Sequence, residues 1–174
     1  WNGILFEPNP YFHEKIRASR SSELVTECIS SVVNELVDFR IDNGMFGGQV
    51  ADGFDNNAAN RAVQLVDAEM IKLRTTTLAA VLMNNEAPPL IDFMSLDIEG
   101  GEWEALKCFP FDQYIFRCIA IERPSQELCL LLDKHEYRQV DKLSHDVIFV
   151  HADFLRDINF SPRIYFSVGE KKHW

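Results

Sequence analysis

Apolar residues in this chain come in short bursts, and the second half has the clearer rhythm. Leu90–Leu96 is an apolar run reaching Asp97, the pattern of a strand buried on both faces. Cys118–Ile121 is a second buried run, ending at Glu122-Arg123-Pro124. Between them, Glu102–Cys108 reads as the start of a helix. Ser125–His135 carries Leu128, Leu131 and Leu132 at helical spacing behind a Ser125 cap. Tyr137–Leu143 and Asp146–Val150 predict an antiparallel pair across Ser144-His145. In the first half, Ile4-Leu5-Phe6 predicts a strand, and Glu7-Pro8-Asn9-Pro10 the turn that ends it. Tyr11–Ser19 has helical spacing. Leu24–Ser30 and Val32–Arg40 predict strands, and Asp42-Asn43-Gly44 predicts a turn. Ala51–Asn60 is polar and predicts an exposed loop, Ala62–Leu73 fits strand or helix, and Thr77–Asn84 predicts a helix with a Thr cap. Ala87-Pro88-Pro89 reads as a linker, and the aromatic tail from Phe154 as irregular.

Strands alternating with helices predict an α/β fold with a mostly parallel sheet. In such sheets, ligands bind beyond the carboxyl ends of the strands. That rule selects Glu7, Ser30, Asp97 and Glu122, each at the end of an apolar run. With 174 residues, length argues for a single domain with a real core. Lys and Arg number 17 against 27 Asp and Glu, a net charge of −10. That acidity argues against nucleic acid and against anionic membrane surfaces as partners. No apolar run approaches the roughly 20 residues of a spanning helix, which argues against membrane insertion. The four cysteines, Cys28, Cys108, Cys118 and Cys129, form no CxxC pair and read as small buried hydrophobes, with reduced cytosol as the default compartment.

The carboxylates carry the candidate chemistry. Glu7 stands where an acidic residue accepts hydrogen bonds from both hydroxyls of a ribose, and Pro8 and Pro10 stiffen its loop. Asp97-Ile98-Glu99-Gly100-Gly101-Glu102 is the densest feature. Asp97 and Glu99 lie two apart on an extended segment, so their side chains point the same way. Gly100 and Gly101 permit a tight turn with close backbone approach by a ligand. Glu102 falls in a first helical turn, where the dipole favours negative charge. Crowded carboxylates raise one another's pKa, which suits a general base. The same group suits a hard divalent cation, although no His stands near it in sequence to favour zinc.

Four segments together resemble the FkbM-type methyltransferases. They are Glu7-Pro8-Asn9-Pro10, Thr75-Thr76-Thr77-Leu78, Ser95-Leu96-Asp97-Ile98-Glu99-Gly100-Gly101-Glu102 and Ile121-Glu122-Arg123-Pro124. The resemblance runs from Trp1 to about His151. It implies a Rossmann-like sheet ending in an antiparallel hairpin, and S-adenosylmethionine-dependent methylation, mostly of hydroxyls. Residues 1–151 would be the methyltransferase domain, and 152–174 a tail packing on it. Glu7 would bind the ribose of S-adenosylmethionine, with Pro8 and Asn9 lining that side. Cys28, Ile29 and Ser30 would border the adenine. Asp97 would face the methionine end and the acceptor pocket. Glu99 and Glu122 would line the acceptor side, one of them serving as base. The acceptor would be a small molecule or a glycan, and no metal is implied.

One departure stands out. The family's first strand and Gly-rich turn, which contact the methionine part of the cofactor, would precede Trp1, and no GxGxxG-like run occurs in the chain. The expectation is an N-terminally incomplete domain with two unpaired edges inside its sheet, and weak or no binding of S-adenosylmethionine. Two other readings stand beside the methyltransferase. One is a metal-dependent hydrolase or transferase using Asp97, Glu99 and Glu122 as oxygen ligands. The other is a non-catalytic binding module that keeps the fold.

Overall fold

The computed structural model describes residues 2–42, 44–56 and 66–157. They fall into two compact units. Residues up to Glu86 together with Ile98–Phe109 form the first, and Ala87–Asp97 with the residues from Pro110 onward form the second.

In the first unit, β1 (Ile4–Phe6) pairs in parallel with β2 (Glu23–Val25). The connection is a 3-10 turn, Pro10–Phe12, running straight into α1 (His13–Ser19). Asn9 starts that turn by accepting from the Tyr11 amide at 3.1 Å, and Pro10 follows at the position where its missing N–H is harmless. A four-stranded sheet is ordered β3-β6-β4-β5, from β3 (Cys28–Ile29), β4 (Leu36–Arg40), β5 (Gly48–Gln49) and β6 (Met70–Thr76). Cys28, Val37, Phe39 and Ile41 form a buried cluster with Ile71 and Leu73 against it. α2 (Leu78–Asn84) follows, with Leu78, Val81 and Leu82 buried at helical spacing and Thr77 Oγ1 accepting from the Ala80 amide.

Two expected strands change here. Leu24–Ser30 is split, because Leu24 and Val25 pair with β1 whereas Cys28 and Ile29 pair with β6. The strand expected from Val32 begins at Leu36. Buried Thr75 pins the preceding residues into a turn: its hydroxyl donates to Val32 O at 2.6 Å and accepts from the Glu35 amide at 3.0 Å. Asn34 sits there at φ 67°. Of the expected Ala62–Leu73 element, only the part from Val66 is described, and Met70–Leu73 is strand. Asn43 and residues 57–60 of the expected turn and loop lie outside the described residues.

The second unit holds a four-stranded sheet ordered β7-β8-β10-β9. Its strands are β7 (Leu90–Leu96), β8 (Ile115–Glu122), β9 (Tyr137–Leu143) and β10 (Asp146–His151). β7 and β8 are parallel, and the hairpin partners are antiparallel. Ser144 takes φ 59° in the two-residue turn between β9 and β10, the conformation such turns require. Ile119 and Ile121 are fully buried. The Phe116 amide donates to Tyr137 Oη at 2.9 Å, and burial pushes that phenol up to about 12. β7 corrects an expectation. It is not buried on both faces: Met94 and Leu96 are buried, whereas Phe93 is 48% exposed, and among the described residues it pairs with β8 alone.

The architecture is mixed α/β, and the expectation of a mostly parallel sheet does not hold. Parallel pairing joins β1 to β2, β3 to β6 and β7 to β8, while β4–β5, β4–β6, β8–β10 and β9–β10 are antiparallel. Cys28 is buried and Cys108 exposed, so the buried-hydrophobe reading fails for Cys108. The tail begins with a 3-10 turn, Ala152–Asp157, whose Phe154 ring lies 4.5 Å under the Arg117 guanidinium. Residues 158–174 lie outside the described residues. No helix among the described residues is long and apolar enough to cross a membrane.

Candidate active site

Glu7 is the first residue past β1. Its amide donates to Val25 O at 3.0 Å, which extends the β1–β2 ladder by one step. Its carboxylate Oε1 accepts from the Asn9 amide at 2.8 Å, and its carbonyl accepts from His13 Nε2 at 2.7 Å. Partial burial raises the carboxyl above its ordinary value, while the Asn9 hydrogen bond and the His13 charge pull it down. Asn9 is 2% exposed, and its side chain is engaged at both ends: Nδ2 donates to Ile41 O, and Oδ1 accepts from the Tyr11 amide. Asn9 therefore shapes the loop and meets Glu7 through its backbone. Pro8 is half-buried between them.

Cys28 and Ile29 form β3 and Ser30 follows it, with the Ser30 amide donating to Thr76 O at 2.9 Å. The Cys28 thiol lies in the core cluster, and burial pushes it up to about 12, with Glu27 adding to the effect. All three residues are buried. None of the three is exposed at this strand end. Beyond it, Ser31 Oγ donates to Glu104 Oε2 at 2.9 Å.

In the second unit, Asp97 follows β7 and Glu122 ends β8. The parallel register sets Leu96 beside Ile121, so the chain brings these two carboxyl groups together. Partial burial is the largest influence on Asp97. The Glu122 charge, a hydrogen bond shared with Glu122 and the Asp146 charge all push its pKa further up, and Arg123 opposes them. Asp146 was not picked out by the strand-end rule. It stands opposite Glu122 in the β8–β10 ladder, a position that only the register reveals. Arg123, at φ 43°, pairs with Glu122 at 2.9 Å, and its amide donates to His145 O.

The segment after Asp97 is not extended. Glu99 takes φ 56° and Gly100 φ 93°, so the expectation that Asp97 and Glu99 point the same way fails. The Glu99 side chain lies over Gly48, where an added Cβ would sit 3.1 Å from Glu99 Cβ and 2.8 Å from Asn56 Nδ2. Glu99 O accepts from the Asp55 amide at 2.9 Å. A Cβ on Gly100 would come within 2.9 Å of that same amide nitrogen, and one on Gly101 within 2.7 Å of the Phe54 ring. The close approach that these glycines permit is thus made by the chain's own residues 54–55, where a ligand was expected. Glu102 is buried at the start of α3 (Glu102–Leu106), and its Oε1 accepts from the Ile98 amide at 2.9 Å. It closes the turn.

The profile of the methyltransferase FkbM domain matches residues 1–146. The chain belongs to the FkbM methyltransferase family. No curated protein and no solved structure matches it. For this FkbM-family methyltransferase domain, the matched region contains β1 through Glu7, the turn at Asp97–Glu102 and the β8 end at Glu122. Among the described residues, no group of three or more His, Cys, Asp or Glu side chains is placed to hold a metal ion.

Proposed function

We propose that the chain is an S-adenosylmethionine-dependent O-methyltransferase acting on a hydroxyl of a small molecule or glycan. The observation that carries this reading is Glu7. Its Oε1 is held by the Asn9 amide, and no hydrogen bond engages Oε2 among the described residues. A carboxylate so held suits the hydroxyls of a ribose, because it offers only acceptors and pays no ordering entropy when they arrive. Beside it, Cys28, Ile29 and Ser30 would border the adenine, and Pro8 and Asn9 would line the ribose side. The cofactor would supply a methyl group activated on a sulfonium.

Asp97, Glu99 and Glu122 are the proposed acceptor-side groups. Methyl transfer to an oxygen forms a C–O bond as the S–C bond breaks, and the hydroxyl proton must go to a base. The raised pKa of Asp97, next to Glu122, supports its ability to take that proton, and holding the acceptor in line supplies the rest of the rate. Residues 1–151 would constitute the domain in a Rossmann-like arrangement, with 152–174 as its tail. The test is formation of S-adenosylhomocysteine over a panel of hydroxylated sugars and polyketide-like alcohols. Turnover that Asp97→Asn abolishes and that Glu7→Gln lowers about 10- to 100-fold at sub-saturating cofactor is expected. Turnover on no acceptor, with folded protein and bound cofactor, favours the binding-module reading.

A further inference from the structure

We propose that His13 is a positioning residue for Glu7 and, through it, for the nucleoside end of the cofactor; the second half rests on the reading of Glu7 above. Glu7 lies beyond the last residue of β1, so strand pairing holds only its amide, through Val25 O. The rest of its fixation comes from the loop. The Glu7 carbonyl accepts from His13 Nε2 at 2.7 Å. Because a carbonyl only accepts, Nε2 carries the proton. The carboxylate accepts from the Asn9 amide through Oε1.

Local sequence explains how a residue six positions on reaches back. Pro8 and Pro10 fix two φ angles. The 3-10 turn at Pro10–Phe12 then folds the chain so that His13, the first residue of α1, meets the Glu7 carbonyl. The turn is anchored independently of Glu7 by Asn9, whose Nδ2 donates to Ile41 O at 3.1 Å. His13 thus ties the backbone of Glu7 to an anchored turn while Asn9 ties its carboxylate. With both ends fixed, Oε2 has a set direction, which is what recognition of a diol requires.

Two variants of the full chain separate this role from simple turn stability. His13→Gln keeps an N–H near the Nε2 position, whereas His13→Phe keeps the ring and loses the donor. The Asn9 amide resonance reports the carboxylate bond without any ligand. Calorimetry with S-adenosylhomocysteine, adenosine and methionine reports binding. His13→Phe is expected to shift the Asn9 amide and to weaken S-adenosylhomocysteine and adenosine about ten-fold. Methionine is expected to be unaffected and His13→Gln to restore both readouts. An unmoved Asn9 amide in His13→Phe overturns the proposal, and so does a Gln variant as damaged as the Phe variant. Wild-type chain that binds no S-adenosylhomocysteine overturns the cofactor reading alone, and the Asn9 amide still decides the positioning.

Discussion

Glu7 and Asp97 each follow a parallel strand, and burial raises the pKa of both. Their surroundings then diverge. Around Glu7 the neighbours are donors: a backbone amide on the carboxylate and a ring N–H on the carbonyl, both favouring an ionised, aimed group. Around Asp97 the neighbours are acceptors, Glu122 and Asp146, relieved only in part by Arg123. The same residue class at the same kind of position is therefore held in two settings, one among hydrogen-bond donors and one among other carboxylates. What distinguishes them is the segment after the strand. A proline-stiffened loop follows Glu7 and turns back on it, whereas the partners of Asp97 come from the end of β8 and the start of β10.

The comparison can be broken in several places. The largest effect is expected from Gly100→Ala, which forces a side chain into φ 93° and within 2.9 Å of the Asp55 amide. A loss of about 2–4 kcal/mol is expected in denaturant melts. An unchanged midpoint would mean that residues 54–55 do not clasp the turn. Next, Glu7→Gln keeps an oxygen for the Asn9 amide but removes the charge. It should weaken nucleoside binding about 10- to 100-fold, as loss of a charged hydrogen bond does, and leave the melting temperature near wild type. Ser125→Ala removes the cap whose Oγ accepts from the Leu128 amide at 3.2 Å. It should lower stability by about 1 kcal/mol and leave the pH response of Asp97 untouched.

The smallest effect is the pH dependence of Asp97→Asn. A carboxyl whose folded pKa lies above its unfolded value binds its proton more tightly when folded. Its contribution is therefore most favourable at pH below the ordinary carboxylate range and is lost as pH rises through the raised value. Removing it should make the variant slightly more stable than wild type at neutral pH, a gain that fades as pH falls toward 4. Because Asp97 keeps much of its exposure, solvent screening keeps the gain small. A gain that grows on acidification would contradict the assignment.

Legibility differed between the same two regions. The β9–β10 hairpin, the Ser125 and Thr77 caps and the Glu7 turn were readable, because each rests on local chemistry within a few residues. The split of Leu24–Ser30 was not, since two partners in different sheets compete for one β-branched run. The exposure of Phe93 on β7 was equally hidden, because an apolar run looks the same whether one face or two are covered. At the candidate site, the strand-end rule selects Glu7, Asp97 and Glu122, and each stands at a strand end. Asp146 escaped it because its proximity to Glu122 depends on ladder register, and His13 because its partner is a backbone carbonyl. Glu99 was found but misdirected, since the left-handed turn at Glu99-Gly100 reverses the alternation of an extended segment.

The most direct test of the central claim is a titration of the isotopically labelled chain with S-adenosylhomocysteine, followed by amide resonances. Shifts at Glu7, Asn9, Ile29 and Ser30 that saturate only at high ligand concentration, as weak binding requires, and that are lost in Glu7→Gln, are the predicted result. The absence of shifts at these residues, or shifts that saturate equally in Glu7→Gln, would contradict it.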